Sequence, residues 1–146
     1  MSQCFDIGDE TLWNPSNGTS RMFQRQVAVF EAELELPSGI GPMENGECQI
    51  SPDTFEAFVN ALLARHRITS HGIWLALSEG FTATVLVLAE RAAIKVDWAR
   101  HGATPEATLE DVQVSTATGL SAPADSAAWA AGLRERAREL GQRMPR

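Results

Sequence analysis

The sequence predicts a mainly α fold, a small helical bundle around one buried central helix, with one or two short extended segments. Residues 70–92 are apolar on nearly all sides from Ile73 to Ala89, and a helix of this kind belongs inside a fold. Three other segments each carry a single apolar stripe at helical spacing. A chain of 146 residues with 44% hydrophobic residues can enclose a core of this type.

The first amphipathic helix follows a short extended segment and a turn. Residues 4–7 are expected to form a strand that ends at Gly8, and the turn-rich stretch 12–20 comes next. Thr19 or Ser20 is expected to cap the helix, because both side chains are good acceptors for its first amides. The predicted buried stripe consists of Met22, Phe23, Val27, Phe30 and Leu34.

A long loop and a second helix come next. The loop from Pro37 to Ser51 has no helical period, and loops of this length are often functional. Residues 47–50 form a candidate strand within it. Ser51 followed by Pro52 is the clearest helix start in the chain, since serine caps and proline suits the first helical position. The helix is expected to run to about residue 67, with Phe55, Phe58, Val59, Leu62 and Leu63 as its stripe.

The central helix has an acid and a glycine in its middle. Glu79 disfavours a membrane span, because a charge there costs several kcal/mol in lipid. Gly80 is a potential break, and the β-branched stretch 82–88 is compatible with a strand. Because helical spacing continues across Gly80, we expect one helix. The short joint at 69–70 makes this helix an antiparallel neighbour of the preceding one.

The amino-acid pattern changes in the remainder of the chain. Residues 94–98 alternate and form a candidate strand or extended segment, whereas 99–124 are rich in small residues and predict a connector. A last helix over 125–141 has Trp129, Leu133, Ala137 and Leu140 on one face. The predicted division is therefore a core domain at 1–98, the connector, and an appended helix and tail at 125–146.

Charge and cysteine usage narrow the partners and the location. The net charge of −7 argues against nucleic acid or an anionic membrane as the main partner. The first twelve residues lack the basic and apolar regions of a signal peptide, so a cytoplasmic location is expected. Cys4 and Cys48 are then expected to stay free thiols.

Five residues are candidates for a binding site. Glu79 is the most unusual, because a buried carboxylate is normally paired, protonated or metal-bound. It could be the anchor or general base of a pocket floored by Trp74 and Phe81, with His66 or His71 assisting. A surface position for the acid, and a core or capping role for either histidine, remain open. The spacing suits no metal site, and no cofactor motif is present.

Three stretches resemble a small actinobacterial family of unknown function. They are WNPSNG at 13–18, PSGIGPMENGECQISP at 37–52 and LALSEGFTATVLVLAERA at 75–92. The resemblance covers roughly residues 1–98. It implies a bacterial cytoplasmic protein and supplies no activity, cofactor or catalytic residue.

Two function classes, with a weaker third, follow from these features. The favoured one is a binding or regulatory protein without catalytic activity, whose partner is a small molecule or a protein. A homodimer through the terminal helix is one such arrangement. The alternative is a small enzyme or ligand-binding protein with its pocket beside Glu79. The third is an acidic immunity-type inhibitor that covers a basic toxin.

Overall fold

A computed structural model describes residues 3–98 and 126–146. The helices are α1 (Asn17–Leu34), α2 (Pro52–Ile68), α3 (Gly72–Arg91) and α4 (Ser126–Gly141), and the strands are β1 (Cys4–Ile7), β2 (Glu10–Trp13) and β3 (Glu47–Gln49). The predicted mainly α class with short extended segments is confirmed. The finer arrangement, a bundle around α3, stays a prediction, and the predicted connector 99–124 lies outside the described residues.

The start of α1 differs from the prediction. Ser16 is the cap, and its Oγ accepts a hydrogen bond from the Thr19 amide at 3.4 Å. Ser20 lies fully buried inside the helix. Phe23 faces the core as predicted, but Met22 is exposed, because neighbouring helical residues differ in direction by about 100°.

The strands form one sheet in the order β2-β1-β3, with β1 antiparallel to β2 and parallel to β3. Strands β1 and β3 were predicted from the sequence, but β2 was not. A tight turn makes this strand possible, because Gly8 adopts a φ of 58°, which glycine tolerates without steric cost.

Residues 94–98, predicted as a strand or an extended segment, lie along α2 and pair with no strand of the described sheet. A side chain binds this backbone instead. Asn60 Oδ1 accepts a hydrogen bond from the Asp97 amide at 3.1 Å, and Asn60 Nδ2 donates one to the Lys95 carbonyl at 3.2 Å. Two backbone groups that a strand would pair are therefore satisfied by one amide side chain.

The start of α2 and the continuity of α3 follow the sequence. Pro52 occupies the first turn of α2, although the Ser51 side chain makes no capping hydrogen bond. α3 continues through Gly80 without a break. Among residues 3–98 and 126–146 it is the one helix long and apolar enough to cross a membrane, but 61% of that stretch is buried inside the fold.

Aromatic rings join the helices to the sheet. Phe81 of α3 stacks on Phe30 of α1 with ring centroids 4.2 Å apart and an interplanar angle of 2°. Phe81 also stacks on Phe23, which meets the edge of Trp13 in β2 at 5.3 Å. Offset and edge-to-face ring pairs of this kind add about 0.5–1.5 kcal/mol beyond their buried area.

The last helix belongs to the same core. Trp129, Leu133 and Ala137 of α4 are buried in one cluster with the apolar residues of α2 and α3. This face packs within its own chain, and the homodimer through this helix stays a prediction. The division into 1–98, 99–124 and 125–146 stays a prediction.

Arg91 ties the C-terminal segment to the sheet. Its Nη1 donates to the Leu12 carbonyl of β2 at 2.6 Å, and its Nη2 donates to the carbonyls of Gly141 and Met144 at 2.9 and 2.8 Å. The guanidinium is half-buried, and burial lowers the pKa of Arg91. One side chain thus joins the end of α3, the end of α4 and β2.

Replacing Arg91 by Met should therefore lower the free energy of unfolding by about 2 kcal/mol, since three carbonyls lose a charged donor. Urea unfolding followed by tryptophan fluorescence measures the change. Arg143→Met, at an exposed position nearby, is the matched control and should change stability by less than about 0.5 kcal/mol. Equal effects of the two substitutions would contradict the assigned role.

Candidate binding site

A buried hydrogen bond joins the end of α2 to α4. His66 is only 7% exposed, and its Nδ1 accepts a hydrogen bond from Trp129 Nε1 at 3.0 Å. Nδ1 can accept only when it carries no proton. Burial, with the nearby positive charge of Arg136 as a second cause, lowers the pKa of His66 to about 4. The imidazole is therefore neutral near pH 7.

Tryptophan and arginine side chains surround this histidine. The Cζ of Arg65 lies 5.6 Å from the ring centroid of Trp74, that of Arg67 lies 5.8 Å from Trp129, and that of Arg134 lies 4.7 Å from Trp98. The rings of Trp98 and Trp129 are themselves in edge contact at 6.0 Å. Each cation–π contact is worth about 0.5–1 kcal/mol at a partly exposed site.

A cavity of about 650 Å³ opens beside Trp98, between α3, residues 94–98 and α4. This volume is within the range of small-molecule sites. Its apolar lining comprises Leu86, Ile94, Val96, Trp98 and Ala137. The shape and the lining can hold a small molecule that has a flat or apolar part.

The polar lining of the cavity is mainly cationic. Among the residues that the structure describes, Lys95, Arg134 and Arg138 lie there with one carboxylate, that of Glu90. Arg138 is also bound to Glu135, with Nε–Oε2 and Nη2–Oε1 distances of 3.0 and 2.5 Å. This fork geometry fixes the guanidinium at the rim of the cavity.

Two of the five predicted site residues, Glu79 and His71, take no part in the buried hydrogen bond between His66 and Trp129. Glu79 forms an ion pair with Arg136, and the side chains are 36% and 57% exposed. His71 caps α3, where its Nδ1 accepts a hydrogen bond from the Trp74 amide at 3.3 Å. These are the surface and capping roles that the sequence left open beside the functional ones.

The other three predicted residues lie in a connected set of rings. The centroids of His66 and Trp74 are 6.3 Å apart, and Trp74 meets Phe30 at 6.1 Å, which stacks on Phe81. The structure thus brings together His66, Trp74 and Phe81 through Phe30. Trp98, Lys95 and Arg134 were not among the predicted site residues, because residues 94–98 were predicted as a strand or extended segment and α4 as an appendage.

The thiols are poorly placed for nucleophilic chemistry. Cys4 pairs with Glu47 and Phe5 pairs with Cys48 in the β1–β3 register, so the two cysteines point to opposite faces of the sheet, and both are free. Burial raises the pKa of Cys48 to about 11. Within the described residues no group of three or more His, Cys, Asp or Glu is placed to hold a metal ion.

A comparison with protein families matches residues 1–146 to DUF6086, a family of unknown function. The chain belongs to the DUF6086 family. The predicted membership of a family of unknown function is confirmed, and the match extends beyond residues 1–98 to include α4. Comparison with curated proteins gives no match for this DUF6086 protein, and comparison with solved structures gives none either.

The depressed pKa of His66 makes the stability of this DUF6086 protein depend on pH. In the folded chain His66 stays neutral down to a pH of about 4, whereas its ordinary pKa is 6.5. Protonation between these values therefore favours the unfolded chain. The contribution is complete above pH 6.5 and is lost as the pH falls toward 4. Between pH 7.5 and 5.0 the loss should be about 2 kcal/mol.

Urea unfolding at a series of pH values measures the slope of the free energy of unfolding against pH. His66→Gln keeps an acceptor but cannot titrate, so it should remove most of the slope whatever its own stability. His71→Gln, at the half-buried start of α3, is the matched control and should keep the slope. An unchanged slope in His66→Gln would rule out the assignment.

The ion pair of Glu79 and Arg136 should contribute little to stability. Both side chains are more than one-third exposed, and exposed pairs are typically worth about 0.2–1 kcal/mol. A double-mutant cycle with Glu79→Gln and Arg136→Gln should give a coupling energy below about 1 kcal/mol. A coupling above about 2 kcal/mol would instead place the carboxylate in a buried site.

Proposed function

We propose that this protein is a binding protein without catalytic activity, and that its ligand is a small anion with a flat or apolar part. The site is the cavity between α3, residues 94–98 and α4. The observation that carries the proposal is the guanidinium of Arg134, which lies 4.7 Å from the ring centroid of Trp98 where both residues line a space of about 650 Å³.

Local charge supports an anionic ligand. The whole chain has a net charge of −7, yet the described residues of the cavity lining include three basic side chains and one acidic one. A local excess of positive charge next to low-dielectric walls concentrates anions. We assign the anionic group of the ligand to Lys95 and Arg134, because Arg138 is already bound to Glu135.

The apolar walls support a flat ligand. The indole of Trp98 and the aliphatic side chains of Leu86 and Ile94 line the cavity, and an aromatic ligand can stack on such a ring. The position of the site also fits the general preference of ligands for clefts between packed helices. In this proposal α3, which packs on α2, α4 and β2, is the central helix that supports the site.

The chemistry of the lining supports binding over catalysis. Among its described residues there is no Ser, Thr, Cys or His, so the usual pairing of a nucleophile with a base is not provided there. His66 is hydrogen-bonded to Trp129 and neutral, with its lone pair occupied by the indole N–H. The hydrogen bond between His66 and Trp129 holds α2 and α4 together beside the cavity.

Two dyes that differ in one charged group test the proposal. 8-Anilinonaphthalene-1-sulfonate is anionic, and N-phenyl-1-naphthylamine is the same aromatic system without the sulfonate. The protein should bind the anionic dye about tenfold more tightly. Arg134→Met and Lys95→Met should each weaken its binding about tenfold, equal to about 1.4 kcal/mol, and leave the neutral dye within about twofold. Fluorescence titration measures both.

Arg25→Met on the exposed side of α1 is the matched control. It also removes one positive charge, but Arg25 is distant in the sequence from the residues that line the cavity. Glu79→Gln is a second control. If Arg134→Met leaves the sulfonate preference intact, the proposed site is wrong. If Glu79→Gln abolishes dye binding without changing the urea midpoint, the pocket lies beside Glu79, as the alternative sequence hypothesis expects.

A further inference from the structure

A second cavity, of about 410 Å³, adjoins the proposed ligand cavity. Both are lined by Glu90, Ala137 and Arg138, so they meet between the C-terminal halves of α3 and α4. The remaining lining of the second cavity comprises Val87, Arg91, Gly141, Gln142 and Arg146. It therefore extends the first cavity toward the C-terminal end of α4.

The charge of the second cavity is mainly positive. Arg91, Arg138 and Arg146 lie in its lining, and Glu90 is the one acidic side chain among the described residues there. Burial and, second, the positive charge of Arg146 lower the pKa of Arg91, whereas Glu90 acts in the opposite direction. Arg91 and Arg146 are thus close enough to repel each other, and an anion between them is attracted to both.

The carboxylate partner of Arg146 holds it only loosely. Nη1 of Arg146 lies 3.6 Å from Oε1 of Glu10, and the side chains are 58% and 61% exposed. This distance is longer than a hydrogen bond, and exposed ion pairs contribute little. Arg138 differs, because Glu135 binds its guanidinium through two hydrogen bonds. Arg146 is therefore the more available of these two cations for a bound anion.

The helix end beside the second cavity is compatible with an anion. A helix C-terminus carries partial negative charge, which by itself disfavours anions. Here the carbonyls of Gly141 and Met144 both accept hydrogen bonds from Arg91 Nη2, so a cation covers them. A guanidinium has five N–H donors, and the three carbonyls bound by Arg91 use three of them. The other two can donate to an anion, and such charge-assisted bonds are strong.

We propose that the ligand has a second anionic group, and that this group binds between Arg91 and Arg146. The inference rests on the proposed function, since the first anionic group remains assigned to Lys95 and Arg134. Arg134 and Gly141 are seven residues apart on α4, which is about 10 Å along the helix axis. The ligand class is therefore an elongated aromatic dianion whose charges are about 10 Å apart.

Three sulfonates that compete with 8-anilinonaphthalene-1-sulfonate for the full chain test this inference. Biphenyl-4-sulfonate has one anionic group, biphenyl-4,4′-disulfonate has one at each end, and benzene-1,3-disulfonate has two that are too close together to reach both positions. The biphenyl disulfonate should bind about tenfold more tightly than the monosulfonate. Benzene-1,3-disulfonate should bind no more tightly than the monosulfonate. Fluorescence titration gives the three dissociation constants.

Arg146→Met should reduce the preference for the biphenyl disulfonate to about twofold and leave the monosulfonate unchanged, because it removes one side of the second anionic position. Arg143→Met is the matched control. It removes the same charge from the same exposed segment, but Arg143 is not among the described residues that line either cavity, so the preference should stay. Arg146→Lys keeps a cation and should retain most of the preference.

Four results would overturn the inference. Equal affinities for the two biphenyls, with Arg134→Met still weakening both, would exclude the second anionic position and leave the proposed function in place. Full preference in Arg146→Met would exclude Arg146 as its ligand. A gain for benzene-1,3-disulfonate equal to that for the biphenyl disulfonate would mean that total charge decides and not its spacing. Failure of both biphenyls to displace the dye, with no effect of Arg134→Met, would contradict the proposed function itself.

Discussion

The apolar surface of α3 is the constraint on which the other elements depend. This helix has a mean hydropathy of 1.6 over its apolar stretch, so the exposure of its apolar sides to water is unfavourable. α2, α4 and β2 each pack against it. Phe81 stacks on α1, and Arg91 at its C-terminal end holds the backbone of β2 and of the segment after α4.

Covering α3 also accounts for the position of the candidate site. The side chains of α4 reach the core between α2 and α3, and Trp129 closes this contact by its hydrogen bond to His66. Residues 94–98 leave the end of α3 and follow α2 instead of α4. The cavity beside Trp98 is the space that remains between residues 94–98 and α4.

Local signals in the sequence were sufficient for the helices. Pro52 after a serine, and the unbroken helical spacing across Gly80, predicted α2 and α3 correctly because they act within one or two turns. Gly8 was predicted to end β1, but the returning strand β2 was missed, since its formation depends on its pairing with β1. The alternation in 94–98 is real, with Ile94, Val96 and Trp98 half-buried between exposed neighbours, but it arises from packing on a helix and not from a strand.

The site residues were harder to predict, because their partners are distant in the sequence. Glu79 was singled out because an acid is unusual in an apolar helix, yet its partner is Arg136, far along the chain. His66 continues the stripe of α2, which predicted its position at the core but not the indole that binds it. No periodic pattern could place Arg134 over Trp98, since one lies in α4 and the other in the segment after α3.

The contacts of the C-terminal segment have a consequence for biosynthesis. The carbonyl of Pro145 accepts a hydrogen bond from the Asn14 amide at 3.0 Å, next to the carbonyls that Arg91 binds. The segment after α4 therefore meets the backbone next to β2. During translation this junction cannot form until Pro145 has left the ribosome, so the part of α3 that α4 covers stays exposed until α4 and the segment after it have been synthesised.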